Sequence, residues 1–312
     1  MTARRLDVSM AEPLVPSEAR EEWLARRQEG IGASEAAAAL GIDPWSTPLD
    51  LYLRKTRGEE RERSPSEQWR LRFGTRMQAD ILAELASATG IAVHACDVLY
   101  RSRRWPYMLA TPDALVVAGE ALALAEAKLV GHRMESDWEA GLPLYVQAQA
   151  AHQAIVMGVE RVFVAVLFFE RRGGNPFEWF EYRPGADVTD WLAGREADVW
   201  RGIVSGVVPP FDFAALTKES ISRLYPAERD GKSIALRDEA LALDATIQKA
   251  REEETRARLR REHAEAHLEA LIGDASDAIL PGGAGRYSWR TTHRAGYTVE
   301  PKAFRQLRRH KK

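Results

Sequence analysis

The residues best suited to chemistry are Asp113, Glu126 and Lys128, two carboxylates and one ammonium group separated by a short stretch of chain. Gly119 lies between them and favours a turn, so the stretch is predicted to form two short strands of a hairpin. A hairpin of this length brings Asp113 beside Glu126. Because side chains alternate along a strand, Glu126 and Lys128 share one face and Ala127 points to the other. The spacing therefore predicts that the three charged groups converge at one edge of a sheet.

Two carboxylates at one sheet edge favour a hard divalent cation such as Mg²⁺, with Mn²⁺ as its substitute. Asp113 and Glu126 would be the ligands, and the backbone carbonyl of Ala127 could add a third oxygen. Lys128 would hold or help to deprotonate an attacking water, since the pKa of a lysine beside a metal can be depressed. The cation would also neutralise the charge that develops on a phosphodiester in its transition state.

The same motifs also have a purely structural interpretation. Pro-Asp is a common turn dipeptide and Glu-x-Lys is a common solvated pair, so each of them alone indicates little. The neighbours of Glu126 and Lys128 argue for a site, because they are leucines and a valine and predict a buried strand. A buried carboxylate without a partner is costly, and a metal ion is a suitable partner.

The charge of the chain is balanced in total but uneven along its length. The 312 residues are 45% hydrophobic and 29% charged, with a net charge of −2, which is typical of a globular protein of about two domains. From Gly285 onward there are nine basic residues and one acidic residue, so this tail carries +8 and the rest of the chain −10. The near-zero total therefore does not exclude a nucleic acid, and the distribution predicts a local DNA-binding surface.

The single cysteine, Cys96, excludes a disulfide framework and a thiolate metal cluster, and is typical of a reducing compartment. No apolar stretch approaches the roughly 20 residues that a membrane-spanning helix needs. The first residues also lack the apolar segment of a signal peptide. These features predict a cytoplasmic protein with no membrane partner.

The elements that must position these residues follow from periodicity and turn signals, and together they predict an α+β fold. Residues 1–210 are predicted to form one domain, in which a mixed β-sheet is flanked by helices. Residues 211–312 are predicted to form a helical, coiled-coil-like extension that ends in a small basic hairpin and tail. The predicted helices cover 34–40, 48–53, 66–89, 144–157, 188–204 and 236–272, and the first 60 residues contain only short helices and turns. The predicted strands are 91–100, 107–111, 114–117 and 121–128 as an antiparallel meander, the pair 162–169 and 177–182, and a terminal hairpin of 286–290 with 297–299.

Several further motifs flank the hairpin in a fixed order. They are Arg27 with Gly30-Ile31-Gly32-Ala33-Ser34-Glu35, the segment 40–48, Phe73-Gly74, Ala110-Thr111-Pro112-Asp113, Glu126-Ala127-Lys128, and a helix with Pro143, Tyr145, Gln147, Gln149, His152 and Gly158. In this order they resemble the YqaJ-type viral recombinases, which are related to the phage lambda exonuclease group of the PD-(D/E)xK nuclease superfamily. The resemblance extends from about residue 23 to about residue 206.

The resemblance implies a PD-(D/E)xK nuclease core, Mg²⁺-dependent hydrolysis of phosphodiesters, and 5′-to-3′ digestion of double-stranded DNA ends in recombination. By resemblance, Asp113 and Glu126 are the metal ligands and Lys128 is the water-positioning base. Gln147 or Gln149 is the helix residue that faces the site, since residues two apart on a helix do not share a face.

The resemblance also implies a pocket for a terminal 5′ phosphate, formed by Arg27 and Ser34 with Thr111 nearby. A guanidinium offers two parallel donors to a phosphate, and Ser34, at a predicted helix start, offers a hydroxyl and free backbone N–H groups. An ordinary N-cap is the alternative role of Ser34.

Gln78 stands where the family places a glutamate, four residues after the glycine. An amide brings less charge to a metal, so this departure puts a second metal ion in doubt.

Two further groups of residues leave their roles open. Arg101, Arg103 and Arg104 with Trp105 could follow a phosphate backbone and stack on a base. They could equally form a charged hairpin edge that prevents aggregation. His152 is interpreted as a packed or hydrogen-bonded residue rather than a metal ligand.

The leading hypothesis is a metal-dependent DNA exonuclease of the phage recombination type that acts on double-stranded DNA ends. By resemblance it works with a single-strand annealing protein and forms a ring-shaped trimer. One alternative is a restriction or repair endonuclease on the same core. Another is a DNA-binding scaffold in which Gln78 marks weakened catalysis and the long C-terminal helix recruits partners.

Overall fold

The computed structural model describes residues 9–59, 63–119, 121–169, 171, 173–211 and 217–292. The chain divides into two compact units, Met1–Leu224 and Tyr225–Lys312. The first unit extends past residue 210, the predicted domain boundary, because a further helix packs on it. Leu224 at the end of that helix is buried in one cluster with Leu51 and Ile203, and Arg223 forms an ion pair with Asp50 at 2.7 Å.

The first unit contains nine strands and seven α-helices within the described residues. They are β1 (Ala11–Pro16), α1 (Arg20–Arg27), β2 (Ile31–Gly32), α2 (Ala36–Leu40), α3 (Pro48–Arg57), α4 (Pro65–Thr89), β3 (Ala92–Ala95), β4 (Val98–Ser102), β5 (Met108–Ala110), β6 (Ala114–Ala118), β7 (Ala121–Gly131), α5 (Leu144–Met157), β8 (Val162–Phe169), β9 (Phe177–Tyr182), α6 (Ala186–Val204) and α7 (Lys218–Leu224). Two short 3₁₀ helices lie at Ala33–Glu35 and His132–Trp138.

The main sheet has five strands in the order β3-β6-β7-β8-β9. Neighbouring strands in this sheet are antiparallel, except that β7 and β8 are parallel because α5 connects them. Alternate residues of β7 face opposite layers. Leu124 packs in the cluster that contains α5, and Ala125 packs in the cluster that contains α4. The predicted mixed sheet flanked by helices is therefore confirmed.

A second sheet of four strands, in the order β1-β4-β5-β2, corrects two predictions. The segment 91–100 is two strands rather than one, because the chain turns at Cys96 and Asp97 and leaves the main sheet. The predicted single meander is therefore wrong, since β4 and β5 pair with β1 and β2 while β3 pairs with β6. The first 60 residues also contain strand β1, where only helices and turns are predicted.

Helices α3, α4 and α5 begin or end at the expected signals. Thr47 and Ser64 cap α3 and α4 by accepting hydrogen bonds from backbone N–H groups, and a proline follows each of them. Gly90 ends α4 and Gly158 ends α5, both in the left-handed conformation that glycine adopts without strain. Because of these signals, the predicted bounds of α4 and α5 agree closely with the structure.

The second unit contains one long helix and one small hairpin within the described residues. Helix α8 (Glu239–Ile272) has no buried residue. Strand β10 (Asp277–Ile279) pairs with β11 (Arg286–Ser288), so the described partner of residues 286–288 precedes them in the chain. The predicted partner, 297–299, and the basic tail lie outside the described residues. No helix in the described part of the chain is long and apolar enough to cross a membrane.

Candidate active site

The start of β6 and the middle of β7 form the centre of the site. Ala114 pairs with Ala125 in the antiparallel hairpin. Asp113, the residue before β6, therefore lies beside Glu126, the next residue of β7. The backbone N–H of Ala127 donates to Asp113 Oδ2 at 2.8 Å. In a strand the N–H and C=O of one residue point to the same side, so the Ala127 carbonyl also points toward Asp113. This hairpin is the predicted one.

Glu126 is the centre of a hydrogen-bonded network of four side chains, although only 5% of it is exposed. Its Oε1 accepts from Lys128 Nζ at 2.7 Å and from Gln149 Nε2 at 2.6 Å. Its Oε2 accepts from Gln153 Nε2 at 2.6 Å. Lys128 Nζ also donates to Gln149 Oε1 at 2.8 Å, so the amide fixes the ammonium and the carboxylate together.

Helix α5 supplies two of these side chains from one face. Gln149 and Gln153 are four residues apart and therefore lie on the same side of the helix. Gln147 points elsewhere, and its amide donates to the Leu142 carbonyl at 2.6 Å. Of the two glutamines predicted from the resemblance, only Gln149 thus reaches the carboxylates. Gln153 was missed, and its signal was an amide four residues after Gln149, on the same face of the helix.

Burial and a neighbouring carboxylate make the ionised form of Asp113 costly. Burial raises the pKa of Asp113, and the nearby charge of Glu126 raises it further. The Ala127 N–H and Lys128 lower it only in part, and the resulting pKa is about 8. Such a shift is typical of two carboxylates held close together in a buried place. A divalent cation between them would remove this repulsion.

The donor set fits one hard cation. Asp113 and Glu126 offer carboxylate oxygens, and the Ala127 carbonyl points to the same side as its N–H. An ionised carboxylate has about four lone-pair positions, and three donors occupy positions on Glu126, so one position on Oε2 is free for a metal. Among the described residues, no group of three or more His, Cys, Asp or Glu side chains is arranged to hold a metal.

Gln78 lies on α4 and is partly buried. Ile81 and Leu82, three and four residues later, pack in the cluster that contains Ala125, so this side of α4 faces the sheet. Within the described part of the chain, no hydrogen bond joins Gln78 to the Glu126 network.

A second cluster surrounds Glu35, which is 5% exposed. Its carboxylate accepts from the Gly32 N–H at 2.8 Å and pairs with Lys55 at 2.7 Å and Arg54 at 3.1 Å. Arg27 Nη2 lies 3.8 Å from the same carboxylate and donates to Ser34 Oγ at 3.1 Å. Three cations against one carboxylate leave an excess of positive charge beside the exposed Ser34 hydroxyl.

The charges of this cluster shift one another's pKa values. Burial raises the pKa of Glu35, but Lys55, Arg27 and Arg54 lower it by more, so the net pKa is lowered. Burial lowers the pKa of Lys55, and Glu35 offsets part of that effect. The carboxylate is therefore held ionised between the cations.

The predicted helix start at Ser34 is wrong. Ser34 lies inside the 3₁₀ helix Ala33–Glu35, and α2 begins only at Ala36. The reason is that the Glu35 side chain reaches back to the Gly32 N–H and tightens this turn. The Ser34 hydroxyl is held by Arg27 instead of capping a helix.

Trp23 links the two clusters. Its indole Nε1 donates to Thr111 Oγ1 at 3.3 Å, and the Arg27 guanidinium lies 4.7 Å from its ring centre. Thr111 precedes Asp113 by two residues, so the Arg27 cluster and the carboxylates are tied to one strand end. The sequence marks Trp23 only as the start of the family resemblance.

Two arginines near the hairpin of β4 and β5 form ion pairs with acidic residues. Arg101 forms an ion pair with Glu29. Arg104 stacks on Trp105 at 5.2 Å and lies 3.6 Å from Asp190. These acids offset part of the positive charge that was predicted to contact DNA.

Residues 22–160 match the family model of the YqaJ-like viral recombinase domain. A relative, the uncharacterized protein YqaJ of Bacillus subtilis strain 168, is 28% identical over 240 residues, which cover 76% of this chain and 72% of that protein. The alkaline exonuclease LHK-Exo of Laribacter hongkongensis is 16% identical, with a TM-score of 0.49 over 60% of this chain and 94% of its own. A phage-related exonuclease from Haemophilus somnus 129PT is 9% identical, with a TM-score of 0.43 over 57% and 95% of the two chains.

The mixed sheet, with Asp113 before one strand and Glu126 and Lys128 on the next, has the layout that the resemblance to the PD-(D/E)xK core implies. Residues 22–160 are thus similar to the YqaJ-like viral recombinase domain, as the motifs predict.

Proposed function

We propose that this protein is a divalent-metal-dependent deoxyribonuclease that degrades linear double-stranded DNA from its ends, in the 5′-to-3′ direction, during phage-type recombination. The observation that carries the proposal is the joint placement of Asp113, Glu126, Lys128 and Gln149 at one edge of the main sheet. The match of residues 22–160 to the YqaJ-like viral recombinase domain supports a recombination role.

The residues of the chain have distinct tasks in this reaction. Asp113, Glu126 and the Ala127 carbonyl would hold Mg²⁺, which, when bound, acts as a Lewis acid on the phosphodiester. Lys128 is oriented by Glu126 Oε1 and Gln149 Oε1, so its remaining N–H can hold a water for attack. Gln149 and Gln153 keep the Glu126 carboxylate in one rotamer, which reduces the reorganisation needed in the transition state.

The Arg27 cluster accounts for the preference for 5′ ends. Arg27 and the Ser34 hydroxyl would bind a terminal phosphate, and Lys55 and Arg54 keep the surroundings positive. A terminal phosphate has more negative charge than an internal phosphodiester, so an excess of cations selects ends. Because Trp23 ties this cluster to the strand end before Asp113, the bound end lies at a defined place relative to the carboxylates.

The test compares one plasmid in linear and in closed circular form, with Mg²⁺ and with EDTA. We expect the linear form to be degraded only with Mg²⁺, the circular form to stay intact, and Asp113→Ala to be inactive. A 5′-phosphorylated duplex should be degraded faster than a 5′-hydroxyl duplex, and Arg27→Ala should abolish this difference. Cleavage of the circular form would indicate an endonuclease, and equal behaviour of wild type and Asp113→Ala would refute the proposal.

Gln78, a neutral amide where the resemblance places a glutamate, favours a second candidate, a DNA-binding scaffold with weakened catalysis. Calorimetric titration with Mn²⁺ separates the two. A nuclease requires a binding event that Glu126→Ala removes, whereas a scaffold requires none.

A further inference from the structure

His152 on α5 and Glu196 on α6 form a buried polar pair that the reaction described above does not use. Both side chains are 0% exposed. The imidazole Nδ1 lies 2.9 Å from Glu196 Oε1, and Nε2 lies 3.0 Å from the backbone carbonyl of Leu109. One ring therefore connects two helices and strand β5.

The protonation state follows from these partners. A carbonyl can only accept, so Nε2 carries a proton and donates to Leu109. The contact between Nδ1 and Glu196 Oε1 is the second hydrogen bond of the ring. The ring orientation is thus determined from both sides, and rotation of the imidazole would break both contacts.

The His152 ring contacts the strand that leads to Asp113 and lies on the helix that holds Glu126. His152 follows Gln149 by three residues and precedes Gln153 by one, and both amides hold Glu126. Leu109 lies in β5, whose end continues through Thr111 to Asp113. A hydrogen bond from α5 to β5 therefore sets the distance between the element that orients Glu126 and the strand end that carries Asp113.

We propose that His152 and Glu196 are positioning residues, which hold α5 against β5 so that the carboxylates of Glu126 and Asp113 stand at the separation that one metal ion requires. Stability alone does not demand this pair, because buried ion pairs can often be replaced by apolar residues of similar volume without loss of stability. A hydrogen-bonded imidazole supplies direction and distance, which an apolar contact does not.

The proposal rests on the proposed function, since it concerns the same metal site.

Three variants test it. The double variant His152→Leu with Glu196→Leu replaces the pair by apolar side chains. Glu196→Gln supplies an amide that can donate to Nδ1, and Ile203→Ala changes another residue of α6. Ile203 is buried in another cluster, so Ile203→Ala controls for loss of stability without change at the α5–β5 contact. For each variant we would measure the unfolding temperature, the Mn²⁺ dissociation constant by calorimetry, and kcat and KM on linear duplex DNA.

The double variant should stay folded but lose about tenfold or more in Mn²⁺ affinity and in kcat, the range found when residues that orient metal ligands are removed. Its KM for DNA should change little, because the Arg27 cluster is untouched. Glu196→Gln should stay within about threefold of wild type, because it keeps both hydrogen bonds of the ring. Ile203→Ala should lower the unfolding temperature without affecting Mn²⁺ affinity.

A folded double variant with wild-type Mn²⁺ affinity and kcat would overturn the proposal, and so would a Glu196→Gln variant as impaired as the double one. If the wild type binds Mn²⁺ but leaves DNA intact, the proposed function fails. The role of His152 and Glu196 is then tested by comparing the Mn²⁺ affinity of the double variant with that of the wild type. A wild-type protein that binds no Mn²⁺ refutes both.

Discussion

Glu126 shows how individual residues make a buried charge tolerable. Its carboxylate accepts three hydrogen bonds, from Lys128, Gln149 and Gln153. A buried charge without such donors carries a large desolvation cost. The donors also fix its rotamer, so they contribute to the geometry of the site as well as to its stability.

Gln149 and Gln147 offer a matched pair of substitutions on one helix. Gln149→Leu removes a donor to Glu126 and an acceptor for Lys128, and we expect kcat to fall about tenfold or more. Gln147→Leu removes only a contact to the Leu142 carbonyl and should keep kcat within about twofold, because no catalytic group is released. Steady-state cleavage of linear duplex DNA measures both, and equal losses would contradict the assignment of Gln149.

Whether position 78 contributes to metal binding can be tested by introducing the glutamate that the resemblance places there. Gln78→Glu should increase Mn²⁺ affinity or stoichiometry in a calorimetric titration, because another anionic oxygen strengthens a hard-cation site. Gln68→Glu adds the same charge to the exposed face of the same helix and serves as the control. If both variants bind Mn²⁺ as the wild type does, Gln78 lies beyond reach of the metal.

At the scale of elements, α3 and the turn Ala33–Glu35 depend on each other. Lys55 of α3 pairs with Glu35 and also donates to the Arg27 carbonyl at 2.6 Å, and only 1% of its side chain is exposed. Through this single lysine, α3 fixes both the carboxylate that holds the cations and the backbone of Arg27. The candidate phosphate pocket is therefore built by three elements that are separate in sequence.

Lys55→Met should destabilise the protein by about 3 kcal/mol, because breaking a buried ion pair leaves an incompletely compensated charge. Lys249→Met removes an exposed pair with Glu253 at 4.0 Å and should cost less than about 0.5 kcal/mol. Urea unfolding of the two variants measures the difference. A Lys55→Met variant as stable as Lys249→Met would show that Arg54 and Arg27 suffice to balance Glu35.

The lowered pKa of Glu35 predicts a dependence of stability on pH. A carboxyl group whose pKa is lower in the folded than in the unfolded state stabilises the fold above its unfolded value, and this contribution is lost as pH falls through the folded pKa. Burial raises the pKa of Glu35, while Lys55, Arg27 and Arg54 lower it to below the usual 4.5. Between about pH 5 and 3, the unfolding temperature of Glu35→Gln should therefore fall less steeply than that of the wild type.

The control for this series is Glu21→Gln, on the exposed face of α1, which should keep the wild-type slope. Thermal unfolding followed by circular dichroism gives the slopes. Parallel curves for Glu35→Gln and the wild type would mean that the cations do not stabilise the ionised form of Glu35.

At the scale of the whole molecule, all residues of the two clusters lie in the first unit, Met1–Leu224. We expect residues 1–224 alone to bind Mn²⁺ as the full chain does. DNA affinity should be weaker and less sensitive to salt, because the basic tail is missing and each phosphate contact contributes to the salt slope. Fluorescence anisotropy across a salt series tests this, and identical slopes for the two chains would exclude a role of the tail in binding DNA.

Local patterns predict the elements whose bounds depend on nearby residues. The predicted bounds of α5, β8 and β9 agree with the structure, because turn residues such as Gly158 and Asn175 end continuous apolar runs. Strand β1 was not predicted, because it is formed by pairing with the distant strand β4, as in Ala11 opposite Ser102. Its own residues include two prolines and no clear alternation.

The sequence by itself determined that Asp113, Glu126 and Lys128 meet, because a short hairpin and the alternation of side chains leave one arrangement. It also predicted the similarity of residues 22–160 to the YqaJ-like viral recombinase domain, because the motifs occur in the same order along the chain. Only the tertiary structure decided that Gln149 rather than Gln147 faces Glu126, since packing sets the rotation of a helix about its axis. The links from His152 to Glu196 and from Glu35 to Lys55 likewise join residues distant in the chain, and only the docking of complete elements brings them together.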